Sequence, residues 1–259
     1  IIKNTKFMTK KIKFIGLIPT RLGSTRLFSK PLLKIKDIPM IIHTYKRAKL
    51  AKKLDELFIC CDHVKILDIA KKYNAKALMT SKKCRNGTER IGEAISKIKT
   101  KYEYIVDIQG DEPLINPSHI DRVIEFHKKN KKTDIILPVL KTQNIKTENI
   151  VKVIKDKFDN VLYLSRAEIP FQFKKKNTFF FKHLSIISFT KNALKKYNNF
   201  KPSSLEKIEG IELLRAIENG LKVKTLVLKG DSFSVDVNQD YIKAKQQMQK
   251  DKIFKKYSE

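Results

Sequence analysis

The chain has 259 residues, 41% of them hydrophobic, enough apolar material for one compact α/β domain or one domain with a small appendage. No apolar stretch approaches the roughly 18 residues needed to cross a bilayer, and residues 1–13 lack the continuous apolar segment of a secretory signal. The net charge of +29 invites a nucleic-acid reading, but lysines run along the whole chain with almost no aromatics among them, which argues against a specific nucleic-acid partner.

Met8 reads as a natural start just ahead of the first strand, with residues 1–7 an extension and residues 1–10 flexible. Apolar and amphipathic segments then alternate in a βα rhythm. Residues 14–19 read as a buried strand, followed by a loop and a helix over 40–53. A strand at 57–61 precedes a helix at 64–73, and a short strand at 77–79 precedes a helix at 87–99. Residues 104–108 form a strand that runs into Gln109-Gly110-Asp111, and Pro117-Ser118 opens a helix to Lys128. Residues 135–140 form the next strand. Short strands separated by helices of this length predict a mostly parallel sheet with helices on both faces.

The rhythm changes over about 141–200, where strands at 151–154, 161–164 and 184–189 are separated by turns, with a hairpin tip at 156–160. This predicts a small mixed-sheet insertion and a possible dimerisation element. A helix at 205–219 ending at Gly220, strands at 223–227 and 235–237, and a final helix from Tyr241 complete a single domain. Cys60 and Cys61 are adjacent and end an apolar run, and with Cys84 they show no zinc spacing, so reduced thiols and a cytoplasmic location are expected.

Arginine is the informative cation. There are 8 arginines against 48 lysines, and six of them (Arg21, Arg26, Arg85, Arg90, Arg166 and Arg215) lie in segments able to carry chemistry. An arginine that persists among so many lysines points to a planar fork for phosphate or carboxylate.

Five segments stand out. The loop Pro19-Thr20-Arg21-Leu22-Gly23-Ser24-Thr25-Arg26-Leu27-Phe28-Ser29-Lys30 follows the first strand. It suits a triphosphate, held by backbone N–H groups from Leu22 to Thr25 and by Arg21 and Lys30, and it equally suits an ordinary basic loop. Gln109-Gly110-Asp111-Glu112-Pro113 puts carboxylates at a strand end, where Asp111 either meets a phosphate-bound Mg²⁺ or caps the next turn. Asp236, between Val235 and Val237, needs a metal or a partner in so apolar a setting, with capping of the last helix its rival role. Asn86-Gly87-Thr88-Glu89-Arg90 opens a helix whose N-terminus offers N–H groups to an anion or a base edge, and a plain cap explains it as well. Arg166 and His183 suit the carboxylate and hydroxyls of an acidic sugar, although a lone histidine at a strand edge is more often structural. Glu212 and Arg215 on one helix equally read as a surface pair.

In this order, these segments resemble the 3-deoxy-manno-octulosonate (Kdo) cytidylyltransferases, or CMP-Kdo synthetases, from Ile15 to about Lys243. The resemblance rests on the opening loop through Lys30-Pro31-Leu32, Asn86 to Arg90, Gln109 to Ile115, Tyr163 to Pro170, Ser203 to Glu209, and Val235-Asp236. It implies a Rossmann-like nucleotidyltransferase fold, a homodimer, and transfer of CMP from CTP to Kdo with release of pyrophosphate, activating the sugar for lipopolysaccharide synthesis. By the same resemblance Arg21 and Lys30 hold the triphosphate, and Asp111 and Asp236 hold the catalytic Mg²⁺. Ser24, Arg26, Gly87, Thr88 and Arg90 meet the nucleotide, and Gln109, Arg166, His183 and Glu212 meet the sugar acid. The chain departs from the family pattern at Leu213, where Gln is usual, at Ser185 and Ile187, where Gly and Tyr are usual, and at Phe28-Ser29, where Pro-Gly is common. The first two departures bear on the acceptor, so a cytidylyltransferase for amino-Kdo or a nonulosonic acid is the near rival. A basic nucleic-acid-binding protein is the rival from another class, and a silent scaffold a third.

Overall fold

Seven consecutive buried residues, Phe14 to Thr20, form β1, and such a run suits a strand covered on both faces. The computed structural model describes residues 13–24, 26–143 and 146–258. The expectations for residues 1–10 and for the Thr25 N–H group fall outside them.

After β1, a two-strand ribbon of β2 (Lys34–Ile35) and β3 (Ile38–Pro39) leads into α1 (Met40–Lys49). Then come β4 (Glu56–Cys61), α2 (Val64–Lys72), β5 (Ala77–Met79), α3 (Gly87–Ser96), β6 (Tyr104–Ile108), α4 (Pro117–Lys129) and β7 (Ile135–Thr142). The middle of the chain gives β8 (Lys152–Lys155), β9 (Val161–Ser165), β10 (Phe180–His183), β11 (Ile186–Thr190) and α5 (Lys191–Asn199). It closes with α6 (Ser204–Glu209), α7 (Leu213–Glu218), β12 (Val223–Leu228) and α8 (Asn238–Gln249).

One ten-stranded sheet runs β5-β4-β1-β6-β11-β7-β10-β8-β9, with β12 also on β7. The half that leads to the candidate site, β5-β4-β1-β6, is parallel, as is the β7–β12 pair. Antiparallel pairing enters where β11 returns against β6. Helices cover both faces over two apolar clusters, one around Phe14, Ile41 and Val106, the other around Leu17, Ile105 and Phe189. A third, smaller cluster packs Ile35 and Met40 against Val235, Ala244 and Met248, and so seats the end of the chain beneath the first loop.

The insertion adds strands to this sheet instead of forming a separate one: β10 pairs with β7 and with β8, and β8 pairs with β9. Its tip lies at 156–160 as expected, because Asp156 accepts the N–H groups of Phe158 and Asn160 at 2.8 Å each. Other expectations need correction. The strand expected at 184–189 is β11, which starts two residues later at Ile186, and the separate β10 just before it went unread. The expected helix 205–219 is two helices, because Gly210 adopts φ 62°, a left-handed conformation that ends α6. Residues 235–237 form no strand; their backbone is occupied in holding the site together. Helix α5 went unread because only Ala193, Leu194 and Tyr197 are buried among its lysines and asparagines. No described helix is long and apolar enough to cross a membrane.

Candidate active site

β1 and β6 end side by side, so the chain leaving each must pass the other. A Cβ at Gly110 would lie 2.8 Å from the Pro19 carbonyl oxygen, which only glycine avoids. That close passage sets Asp111 beneath the loop that follows β1. From this loop the Lys30 ammonium donates to Asp111 Oδ2 at 2.8 Å and to Asp236 Oδ1 at 3.2 Å. Arg26 reaches Asp236 Oδ1 at 3.0 Å. Val235 N–H donates to the Asp111 carbonyl at 2.9 Å, so the two aspartates, 125 residues apart in sequence, are tied through backbone as well. Asp240 accepts the N–H groups of Asp236 and Val237, which leaves the Asp236 carboxylate free of the capping duty.

Charge follows from this geometry. Burial alone would lower the Lys30 pKa, but Asp111 and then Asp236 outweigh it and hold the ammonium above its usual range. Burial alone would raise the Asp236 carboxyl; Lys30, Ser234 and Arg26 together hold it below the usual carboxylate range.

A cavity of about 330 Å³ opens over this cluster. Five cationic side chains (Arg21, Arg26, Lys30, Arg85 and Arg90) line it against two carboxylates (Asp111 and Asp236), with Ser24, Gly87 and Gln109 also on its wall. Its far side is the N-terminus of α3, where Asn86 caps the helix by accepting Glu89 N–H at 2.8 Å. Arg90 is buried and gives its donors to Thr80 Oγ1 and the Ser81 carbonyl, with Asp62 at 3.5 Å, so it forms wall and not an open cation. The excess positive charge at a helix N-terminus suits a polyphosphate.

A second cavity, of about 410 Å³, meets the first at Asp236. His183, Lys182, Ser185, Asn149, Ser232 and Lys243 are on its wall. Lys182 pairs with Asp231 at 2.6 Å. Burial, then the charge of Arg166, lowers the His183 pKa to about 4, so this histidine is neutral; its Nε2 has no partner among the described residues.

Nine of the sequence-predicted residues (Arg21, Ser24, Arg26, Lys30, Gly87, Arg90, Gln109, Asp111 and Asp236) thus share the first cavity, and His183 lies in the second. Three lie on neither wall. Thr88 is buried, and its N–H donates to Glu212 Oε2 at 3.0 Å. Glu212 is held there behind the helix N-terminus. Arg166 spends its guanidinium on the carbonyls of Glu209, Glu148 and Gly210. The Glu212–Arg215 surface pair does not form: Arg215 turns inward to Glu206 and Glu89. Leu213 and Ile187, two departures from the expected pattern, are each 2% exposed in the second apolar cluster and line neither cavity. Sequence reasoning missed Cys84 and Thr20 on the first wall and Glu112, Ser232 and Lys182 on the second. The buried Glu112, which accepts Ser232 Oγ at 2.5 Å, stood beside Asp111 in a motif already singled out.

No group of three or more His, Cys, Asp and Glu side chains poised for a metal occurs among the described residues. Two carboxylates that converge on one ammonium do fit Mg²⁺, which takes one or two protein carboxylates and fills its shell with phosphate oxygens and water.

A family model described as cytidylyltransferase matches residues 15–225. The 3-deoxy-manno-octulosonate cytidylyltransferase of Thermodesulfovibrio yellowstonii is 39% identical over 240 residues, 87% of this chain and 94% of that protein. The enzyme of the same name from Fusobacterium nucleatum is 40% identical over 234 residues, 88% of this chain and 94% of that one. Among solved structures, a CMP:2-keto-3-deoxy-manno-octonic acid synthetase complexed with CTP superposes with a TM-score of 0.87 at 27% identity, over 92% of this chain and 99% of that one. Sequence likeness at this level along nearly the full length, with the fold to match, means that the chain belongs to the 3-deoxy-manno-octulosonate cytidylyltransferase family.

Proposed function

We propose that this protein transfers the CMP unit of CTP to 3-deoxy-manno-octulosonate, giving CMP-Kdo and pyrophosphate and activating the sugar for lipopolysaccharide synthesis. The observation that carries the reading is the convergence of Lys30, Asp111 and Asp236 where the two cavities meet. CTP takes the first cavity, its phosphates among Arg21, Ser24, Arg26 and Lys30 and its nucleoside against Gly87 at the start of α3. The sugar acid takes the second, beside the neutral His183, with Gln109 on the wall between the two. Support for that placement of Gln109 comes from its backbone N–H, which donates at 3.1 Å to the carbonyl of Ser185, a residue of the second wall.

The chemistry that follows is a single in-line displacement. The acceptor's anomeric hydroxyl enters from the second cavity and attacks the α-phosphorus while pyrophosphate leaves along the Arg21 side. Lys30 and Arg21 neutralise the charge that grows on the leaving group, and their fixed positions spare reorganisation at the moment of reaction. Magnesium held by Asp111 and Asp236 would add Lewis-acid stabilisation of the α-phosphate oxygens. Arg166 and Glu212 act at one remove, Arg166 on the strand-to-strand wall and Glu212 on the first turn of α3.

A homodimer through the insertion is supported by Phe171 and Phe173, 84% and 83% exposed, beside a cleft of about 340 Å³ lined by Ile154, Ile169, Pro170 and Phe180. Sedimentation should give twice the monomer mass. A cytoplasmic location is supported by three cysteines that all remain free thiols.

The test of the reaction is pyrophosphate release from each of the four nucleoside triphosphates with Mg²⁺, with and without Kdo. Release that needs both CTP and Kdo is expected, and chelation of the metal should abolish it. Release with another keto-sugar acid but not with Kdo would replace the acceptor; silence with every acceptor would end the reading.

A further inference from the structure

Asp107 is a carboxylic acid in the middle of the sheet. In β6 it is fully buried, with Leu17 of β1 and Ile187 of β11 as its direct lateral neighbours. It forms no ion pair among the described residues, and it lines neither cavity, so it touches no substrate. An acid in such a place is costly unless it is used. Among the described residues its side chain takes one hydrogen bond, from Gln109 Nε2 to Oδ2 at 3.1 Å, and Oδ1 has no partner. Gln109 follows β6 directly, two residues after Asp107, the spacing that returns a side chain to the same side of an extended chain.

The polarity of that contact decides which end of the Gln109 amide is free. A side-chain amide has one donor end and one acceptor end of nearly equal size, and in an uncommitted setting both orientations are populated. An Asp107 oxygen that accepts draws the NH₂ group inward and leaves the carbonyl oxygen as the free end. Burial first, and the charge of Glu212 second, push the Asp107 carboxyl well above the usual range. With Gln109 Nε2 donating to Oδ2, as observed, a proton on the neutral acid sits on Oδ1. Gly87 faces the same amide: a Cβ there would lie 3.2 Å from Gln109 Nε2 and 3.6 Å from Oε1, so its glycine leaves the amide the space it occupies.

We propose that Asp107 is a positioning residue that locks the Gln109 amide with its carbonyl oxygen toward the reacting groups, so that the site selects an acceptor presenting a hydroxyl donor at that point. This rests on the proposed reaction. The experiment is steady-state kinetics, varying CTP and Kdo separately, for Asp107→Leu, Asp107→Ala, Asp107→Asn, Gln109→Ala and the Asp107→Leu/Gln109→Ala double variant. Asp107→Leu and Asp107→Ala should each raise the KM for Kdo about tenfold, the effect of one misdirected hydrogen bond, and raise the KM for CTP less. Asp107→Asn, whose amide oxygen still accepts from Gln109, should stay within about twofold of wild type. The double variant should match Gln109→Ala alone, since a residue that acts only through Gln109 has nothing left to act on. Equal rises in both KM values, full additivity in the double variant, or an Asn variant as impaired as the Leu variant would each overturn the role. A wild-type chain without Kdo-dependent turnover would instead sink the reaction itself and this role with it. Melting of the Leu and Ala variants at or above the wild-type temperature is expected, because both delete a buried acid that lacks a cation.

Discussion

Replacing Arg215 by methionine tests whether the helix that borders the first cavity is held by buried charge. Arg215 is 1% exposed, donates to Glu206 at 2.7 and 2.5 Å and to Glu89 at 3.0 Å, and lies 4.6 Å from the centre of the Tyr197 ring. It therefore ties α7 to α6 and to α3. In the variant Glu89 keeps Arg85 at 2.6 Å, so the orphaned charge is that of Glu206, which is 9% exposed. An orphaned buried charge costs about 3–5 kcal/mol, and the lost contact with Tyr197 adds about 1 kcal/mol. For a chain of this size that total corresponds to a fall in melting temperature of roughly 8–24 °C. The assay is thermal unfolding followed by circular dichroism, with the Arg215→Met/Glu206→Gln double variant alongside. The double variant should recover more than half of the loss, because no carboxylate is then stranded. A single variant that melts within about 2 °C of wild type would refute the reasoning.

Asp236→Asn and Asp111→Asn should each lower turnover at least about 10²-fold while leaving the fold intact, and a near-normal rate in either would remove that residue from the metal site. Arg166→Ala frees the Glu148 carbonyl beside Thr147 and Asn149, two residues of the second wall, and should raise the KM for Kdo more than that for CTP; equal effects would defeat its acceptor-side role. His127 is buried, bonded to Ser188 Oγ and the Thr133 carbonyl, and its pKa is lowered by burial to about 4. Its folded pKa lies below the unfolded value of 6.5, so the unfolded chain binds the extra proton between those limits and stability falls as pH drops from 6.5 toward 4. Urea unfolding of His127→Gln should therefore show a slope shallower than wild type by about 1.4 kcal/mol per pH unit near pH 5, and parallel curves would contradict the assignment.

The parts of the site that the sequence exposed are those where local chemistry and strand ends coincide. Lys30, Asp111 and the α3 N-terminus each follow a βα transition that hydrophobic periodicity locates, and Asp236 announced itself by its apolar neighbours. What periodicity could not supply was the destination of long polar side chains. Arg166, Arg215 and Glu212 reach partners set by tertiary packing, so their motif positions gave no sign that one ties loops, one locks three helices and one sits behind a helix start. The split of the helix at 205–219 had a local signal in Gly210, but the apolar spacing runs on across it and hid the break. Asp107 was passed over for the opposite reason: inside an apolar strand a single acid reads as noise until its neighbours are known.

The ammonium of Lys30 between Asp111 and Asp236 has a consequence for the order of events in the proposed reaction. A bare divalent ion arriving first must displace a cation already bonded to both carboxylates, whereas CTP supplies phosphate oxygens that give the ammonium somewhere else to go. Nucleotide and metal would then be thermodynamically linked, each raising the affinity of the other by the same factor. The resting protein would hold magnesium weakly by itself and tightly once CTP is present, so free magnesium in the cell would neither saturate the site nor pull its two arms out of register between turnovers.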